Sequence, residues 1–234
     1  MHYILIKDHF FSFYDKLVLL KGTVFCQTIK EVFMSEIFNK MADHYDTPPR
    51  IALAEKITAA VRPQLMNARE QILIDYGGGT GLVSLPLAPL VKQLQIWDTA
   101  EGMLAIVDQK VAHQGLTNVF GSFHDLTKES IHEEADIVLL SLVMLHIPDT
   151  EHLLQQLYQL LKPGGRLFIV DFNKNPSVSH PKVHNGFEQD TLLQLAESVG
   201  FDSVSYETFF EGPQLFMGQD AALFLYSAAK PSQP

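Results

Sequence analysis

The stretch Ile72-Leu73-Ile74-Asp75-Tyr76-Gly77-Gly78-Gly79-Thr80-Gly81 decides how this chain is to be read. An apolar run of strand length delivers an acid and then four glycines within five positions. Glycine adopts backbone conformations, and tolerates close approach of another group, that a Cβ forbids. A tight strand-to-helix connection without a ligand needs only one or two such residues, so the excess predicts a small-molecule site at this turn.

Spacing and charge narrow the ligand. A dinucleotide turn needs G-x-G-x-x-G, so that a helix N-terminus can cradle the pyrophosphate. Here Gly77, Gly79 and Gly81 form G-x-G-x-G, and Leu82 stands where the dinucleotide pattern wants its third glycine. Asp75, two residues before the first glycine, would hold a cation and repel a phosphate. S-adenosylmethionine carries an ammonium and a sulfonium and no phosphate, so the electrostatics favour it over a nicotinamide dinucleotide.

Outward from this turn, further apolar runs recur at Leu94 to Trp97, Asn118 to Phe120, Ile137 to Ser141 and Leu167 to Asp171, none with regular polar alternation. Such runs suit strands buried on both faces of a parallel sheet. Segments of helical period lie between them. Leu153, Leu154, Leu157, Leu160 and Leu161 leave Gln155, Gln156 and Gln159 opposite, with Asp149 or Thr150 as cap and Pro163-Gly164-Gly165 as stop. Met103 to Val111, starting near Thr99 and stopped by Gly115, and Leu192 to Val199, closed by Gly200, read likewise. Five alternations of strand and helix predict a doubly wound α/β sheet, Rossmann-like, with helices on both faces and ligands at the carboxyl ends of the strands. Val204 to Phe210 and Ala221 to Ala228 follow with too short a gap for a helical crossover, so the sheet should close in an antiparallel hairpin.

Composition sets the bounds. The chain has 234 residues, of which 47% are hydrophobic and 19% charged, enough for one substantial core. A formal net charge of -10 gives no general attraction to nucleic acid or to anionic membranes. The single cysteine, Cys26, forms neither an internal disulfide nor a multi-thiolate zinc site, so a reducing cytoplasm fits. Lys7, Asp8, Asp15, Lys16 and Lys21 interrupt the apolar N-terminus before any membrane span, and no secretory pattern precedes them.

The sequence resembles the class I S-adenosylmethionine-dependent methyltransferases, in particular the group containing the ubiquinone and menaquinone biosynthesis enzymes. The likeness covers roughly Phe38 to Lys230 and rests on motifs in order. Phe38 to Asp46 is similar to the family's N-terminal helix, Ile72 to Gly81 to its glycine motif, and Trp97 to Leu104 to its second-strand acidic motif. Leu142 to Ile147 and Leu161 to Leu167 are similar to the segments after the fourth strand and before the fifth.

The resemblance implies site residues. Asp75, Gly77, Gly78, Gly79 and Gly81 would bind the cofactor at the glycine turn, and Asp98, with Thr99 beside it, would accept the ribose hydroxyls. Asp125 would accept the adenine amino group, with the Leu126 amide facing the ring. Ser141 and Leu142 would offer a backbone carbonyl to the ammonium. Met103 would lie against the adenine or serve as core, and Tyr45 would cover the cofactor or pack. Methyl transfer is an in-line displacement in which positioning and exclusion of water do much of the work, so no metal is expected. His146 is the candidate base where the acceptor must lose a proton, with a structural role as the alternative. His180, His184 and Asn185 are expected at the acceptor pocket rather than at a metal, since no carboxylate pair or cysteine completes a ligand set.

The acceptor is expected to be a small apolar or aromatic molecule, from Phe38, Tyr45, Met144, Phe172, Phe187 and Phe216 in the regions that supply it. The rival readings are a cofactor-binding regulator without catalysis and a nicotinamide-dependent oxidoreductase. Residues 1–33 are expected to be an appended or mis-assigned extension or an apolar lid, 34–230 a single domain and 231–234 a tail.

Overall fold

A computed structural model describes residues 36–128, 133–180 and 183–232. The expectations for residues 1–33 lie outside the described residues. After a helical segment at 36–41 and a 3-10 turn Ala42–His44, the elements run α1 (Pro48–Val61), β1 (Ile72–Tyr76), β2 (Gln93–Asp98), α2 (Glu101–Gln114), β3 (Val119–Phe123) and β4 (Ala135–Ser141). Then follow α3 (Thr150–Leu160), β5 (Leu161–Phe172), α4 (Gln189–Val199), β6 (Asp202–Phe216) and β7 (Gln219–Ala229). The seven strands form one sheet in the order β3-β2-β1-β4-β5-β7-β6. Pairing is parallel from β3 through β5 and antiparallel at β7 and β6.

Each inner strand sends alternate side chains to two apolar layers, which is why its sequence lacks polar alternation. Leu73, Leu94, Ile96, Ile137, Leu139, Phe168 and Val170 pack with Ile57 of α1 and Val107 of α2. Ile74, Val138, Leu140, Leu167 and Ile169 face the other way, onto Leu153, Leu154, Leu157 and Leu160 of α3 and Leu192 and Ala196 of α4. The helix ends follow local chemistry: the Asp149 side chain accepts from His152 N at 2.9 Å, and Gly115 and Gly200 close α2 and α4 in the left-handed region.

The structure corrects four expectations. Strand and helix do not alternate five times: β1 and β2 are joined by a 3-10 stretch, Leu85–Leu90, because Pro86 and Pro89 lack the N–H groups an α-helix needs. No helix joins β3 to β4 among the described residues. β3 is an edge strand rather than a doubly buried one, and its Phe120 and Phe123 are exposed. The cap residue of α2 is Ala100, not Thr99. The closing hairpin is tighter than its sequence suggested, since residues 211–216 extend β6 and only Met217 and Gly218 turn the chain. No helix among the described residues is long and apolar enough to cross a membrane.

Candidate functional site

Because β1 to β5 run parallel, their carboxyl ends share one edge of the sheet. The glycine turn leaves β1 there, Asp98 ends β2, Asp125 and Leu126 follow β3, Ser141 ends β4 and Asp171 nearly ends β5. The chain thus brings the predicted site residues to one rim.

The turn is held from beneath. Gly77 N and Gly78 N donate to the Trp97 carbonyl at 2.8 and 3.2 Å. Gly77 sits at φ +70°, and a Cβ there would lie 2.5 Å from Val143 Cγ2 of the segment after β4. Gly79, at φ +56°, is open: a Cβ there would meet nothing within 4 Å. Its N–H donates to Asp98 Oδ2 at 2.9 Å, while Ala100 N donates to Oδ1 at 2.8 Å. Asp98 therefore ties the glycine turn to the start of α2. Burial raises its carboxyl above the ordinary value, and these backbone donors offset part of the rise.

Asp75 is fully buried, and neither carboxylate oxygen has a hydrogen-bond partner among the described residues. Burial pushes it up to about 7, and the charge of Asp98 adds to the shift. The Ser84 hydroxyl opposes the shift as a neighbouring dipole but makes no hydrogen bond by distance and angle, and its own oxygen is likewise unpartnered. The carboxylate lies below Gly78, whose Cβ position is 2.5 Å from Oδ2.

The N-terminal segment covers the β2 side. Met103 is 1% exposed and packs with Ala42 and Ala100, against which Phe38 and Tyr45 also rest. Burial raises the Tyr45 hydroxyl, the Arg50 guanidinium opposes the rise, and Asp98 and Asp46 reinforce it. After β3, burial pushes Asp125 up, but hydrogen bonds from Lys128 and Thr127 outweigh it and hold the carboxyl below its ordinary value. Lys128 Nζ lies 2.7 Å from Asp125 Oδ2. Leu126 is buried in the same layer as Tyr76, Trp97 and Met144.

The segment after β4 forms the other wall. Leu142, at φ +58°, is a bulky residue in the left-handed region, held there by its N–H to the Val170 carbonyl at 2.8 Å. His146 ends the 3-10 turn Met144–His146 and meets the Phe38 ring edge-on at 5.8 Å. Its buried Nδ1 has no partner among the described residues. Burial, with His180 and His184 nearby, lowers its imidazole to about 4, so the ring is neutral at pH 7. His184 straps the segment after β5 to this wall: its N–H donates to the Leu145 carbonyl at 2.9 Å, and its Nε2 lies 2.8 Å from the Ile147 carbonyl. No group of three or more His, Cys, Asp or Glu among the described residues is placed to hold a metal ion.

Sequence reasoning missed Asp171. It accepts from Leu145 N at 3.1 Å and from Phe172 N at 2.8 Å, and burial pushes it up to about 7. Its signal was available, since it closes an apolar strand run as Asp75 does. Asp46, Thr80 and Lys110 were also missed; they meet across 30 to 64 residues of chain, which leaves no local pattern.

The chain matches the methyltransferase-domain family over residues 50–206. It is 29% identical over 151 residues to an uncharacterized methyltransferase of Schizosaccharomyces pombe. That match covers 61% of this chain and 52% of the relative, so the chain spans about half of the relative's length. It is 23% identical over 209 residues to the ubiquinone/menaquinone biosynthesis C-methyltransferase UbiE of Pectobacterium carotovorum, covering 86% of this chain and 83% of that one. Among solved structures, phosphoethanolamine N-methyltransferase 2 of Haemonchus contortus in complex with S-adenosyl-L-methionine superimposes with a TM-score of 0.64. Identity there is 17%, over 83% of this chain and 60% of that one. A family match of this extent, on a sheet of this strand order, means that the chain belongs to the class I S-adenosylmethionine-dependent methyltransferases.

Proposed function

We propose that the protein transfers the sulfonium methyl group of S-adenosylmethionine, in line, to a small apolar or aromatic acceptor. The observation that carries the cofactor's placement is Asp75: a buried carboxylate without a partner among the described residues, beneath a glycine turn that is open at Gly79, fits a cationic ligand. Asp75 is assigned to the ammonium, and the carbonyl of Ser141 or Leu142 to the same group. Asp98 takes the Gly79 N–H on one oxygen and the Ala100 N–H on the other, with the Thr99 N–H also lowering its pKa, and its remaining lone pairs are assigned to the ribose hydroxyls. Thr99 sits beside it. Met103 and Tyr45 are assigned to the adenosine side. Asp125 and the Leu126 amide are assigned to the adenine edge, where Lys128 and Thr127 must share the Asp125 carboxylate with the adenine amino group.

His146 is assigned as the proton acceptor. Attack of the acceptor X–H on the methyl carbon breaks the S–CH3 bond, yields S-adenosylhomocysteine and X–CH3, and sends the acceptor's proton to His146 Nδ1 and then to water. A neutral imidazole lowered to about 4 is a weak base, which suits an already acidic proton such as that of a phenol or an enol. The Phe38 ring on His146 supports an aromatic or apolar acceptor in that position.

Labelled cofactor tested over phenols, quinols, amines and carboxylic acids checks activity and acceptor together. Methylation of phenols or quinols, with His146→Asn lowering kcat by about 100-fold or more, is the expected result. Unchanged kcat in His146→Asn removes the base, and tight cofactor binding without any transfer turns the assignment toward a binding protein.

A further inference from the structure

Three residues from three elements meet beside the glycine turn. Thr80 Oγ1 donates to Asp46 Oδ1 at 2.6 Å, Lys110 Nζ pairs with Asp46 Oδ2 at 2.6 Å, and the same Nζ donates to the Thr80 carbonyl at 2.7 Å. Asp46 lies just before α1, Thr80 in the turn and Lys110 on α2. Both charged side chains are about three-quarters covered, so the pair is only partly screened by water.

From residue 77 to residue 81, Thr80 is the only residue with a side chain. Its neighbours Gly79 and Gly81 sit at φ +56° and +76°, in a region where glycine moves freely. The turn therefore has one side-chain handle, and Asp46 and Lys110 grip it at both the hydroxyl and the carbonyl. Asp46 is also the next residue after Tyr45, whose ring carries the Arg50 guanidinium at 4.2 Å and whose hydroxyl feels the charge of Asp98. A second tie, Gly102 N to Asn39 Oδ1 at 2.6 Å, fixes the helical segment 36–41 to the start of α2.

We infer that Asp46 and Lys110 are positioning residues for the cofactor: they lock the Tyr45-bearing segment and the glycine turn into one unit that must part for the cofactor to exchange. The charges are ordered for this ligand. S-adenosylmethionine is cationic, and an unpaired Lys110 ammonium at the turn would repel it, whereas an unpaired Asp46 would attract it. Loss of Asp46 therefore breaks two of the three bonds and leaves a repulsive charge, while loss of Lys110 also breaks two but leaves an attractive one. The inference rests on the cofactor site and not on the acceptor or on His146, so a failed acceptor screen leaves it standing.

The full chain supplies its own reporter. Trp97 is the single tryptophan; its backbone carbonyl accepts the Gly77 and Gly78 N–H groups while its indole is buried against His124 at 4.0 Å, so its fluorescence is the readout taken from beside the turn. Dissociation of S-adenosylhomocysteine, followed by rapid mixing, should be about tenfold faster in Lys110→Met than in the wild type, and near wild type in Lys110→Arg. For S-adenosylmethionine, followed by calorimetry, Asp46→Asn should lose more affinity than Lys110→Met, and the double variant should bind better than Asp46→Asn alone, whereas the uncharged thioether S-adenosylhomocysteine should show little of this ordering. The cofactor KM should rise with dissociation while kcat at saturation falls less than about twofold. Thr80→Val, which keeps the shape and removes one of the three bonds, gives an intermediate rate and keeps the test open where an Asp46 variant does not fold. Wild-type dissociation rates in both Lys110→Met and Thr80→Val overturn the inference, as does a fall in kcat with KM unchanged. Asp46→Asn and Lys110→Met losing affinity equally overturns the charge ordering.

Discussion

Two carboxylates at the same rim make a natural pair. Asp75 near the end of β1 and Asp171 near the end of β5 are both fully buried, and burial pushes both up to about 7. They differ in what they hold. Asp171 takes the N–H groups of Leu145 and Phe172 and so fastens the segment that carries His146, whereas Asp75 has no partner among the described residues. A buried acceptor that is satisfied serves the fold, and one left unsatisfied calls for a partner, which the proposed cofactor would supply. On the proposed assignment, the β5 end serves shape and the β1 end serves binding.

The largest effect should separate the two most sharply. Asp75→Asn should weaken S-adenosylmethionine binding by about 100-fold, measured by calorimetry, because the ligand's cation loses its buried counter-charge. Asp171→Asn should stay within a few-fold of the wild type. Equal losses in the two variants would break the comparison.

Thermal melting of the unliganded protein should invert the order. In Asp171→Asn the amide group replaces one acceptor with a donor that faces a backbone N–H, and stability should fall by about 1–3 kcal/mol. Asp75→Asn removes a buried unpaired charge, so its Tm should be unchanged or higher. A drop in both of similar size would mean that Asp75 is satisfied in solution.

The smallest effect is in pH. The cofactor's cation prefers ionised Asp75, which is mostly protonated below about 7, so affinity should rise about tenfold between pH 6 and 8 and be flat in Asp75→Asn. Stability runs the other way. With folded values near 7 and ordinary values near 4, both carboxyls hold protons that the unfolded chain releases, so their contribution is fullest below about 4 and is lost as pH rises through 7. Titration of Tm for each variant against the wild type would sharpen which acid carries the slope.

Much of the β1 end was legible because its information is local. Asp75, the glycines and Asp98 lie within 24 residues, and their spacing encodes a turn and a charge. The wall formed by the segment after β4 was not legible in the same way. His146 is set by Asp171 through the neighbouring Leu145 N–H and covered by Phe38, contacts that join three distant parts of the chain. Apolar runs located every strand, yet they misjudged β3, since Val119-Phe120 reads as core while the sheet order leaves that strand at an edge. The 3-10 stretch after β1 shows the opposite case, in which Pro86 and Pro89 carried the answer locally.

The sheet order also bears on how the protein is made. β7, the last of the described strands in chain order, lies between β5 and β6, and each of those pairs with it alone on that side of the sheet. Phe224 and Tyr226 are carried in with it as two of the largest fully buried side chains. On the ribosome β6 emerges before β7 and gains its neighbouring strand only when β7 follows, so this edge of the sheet stays unfinished until residue 229 has emerged. Nascent chains arrested before residue 219 should therefore carry β1 to β5 with an open flank, the form most exposed to chaperone capture.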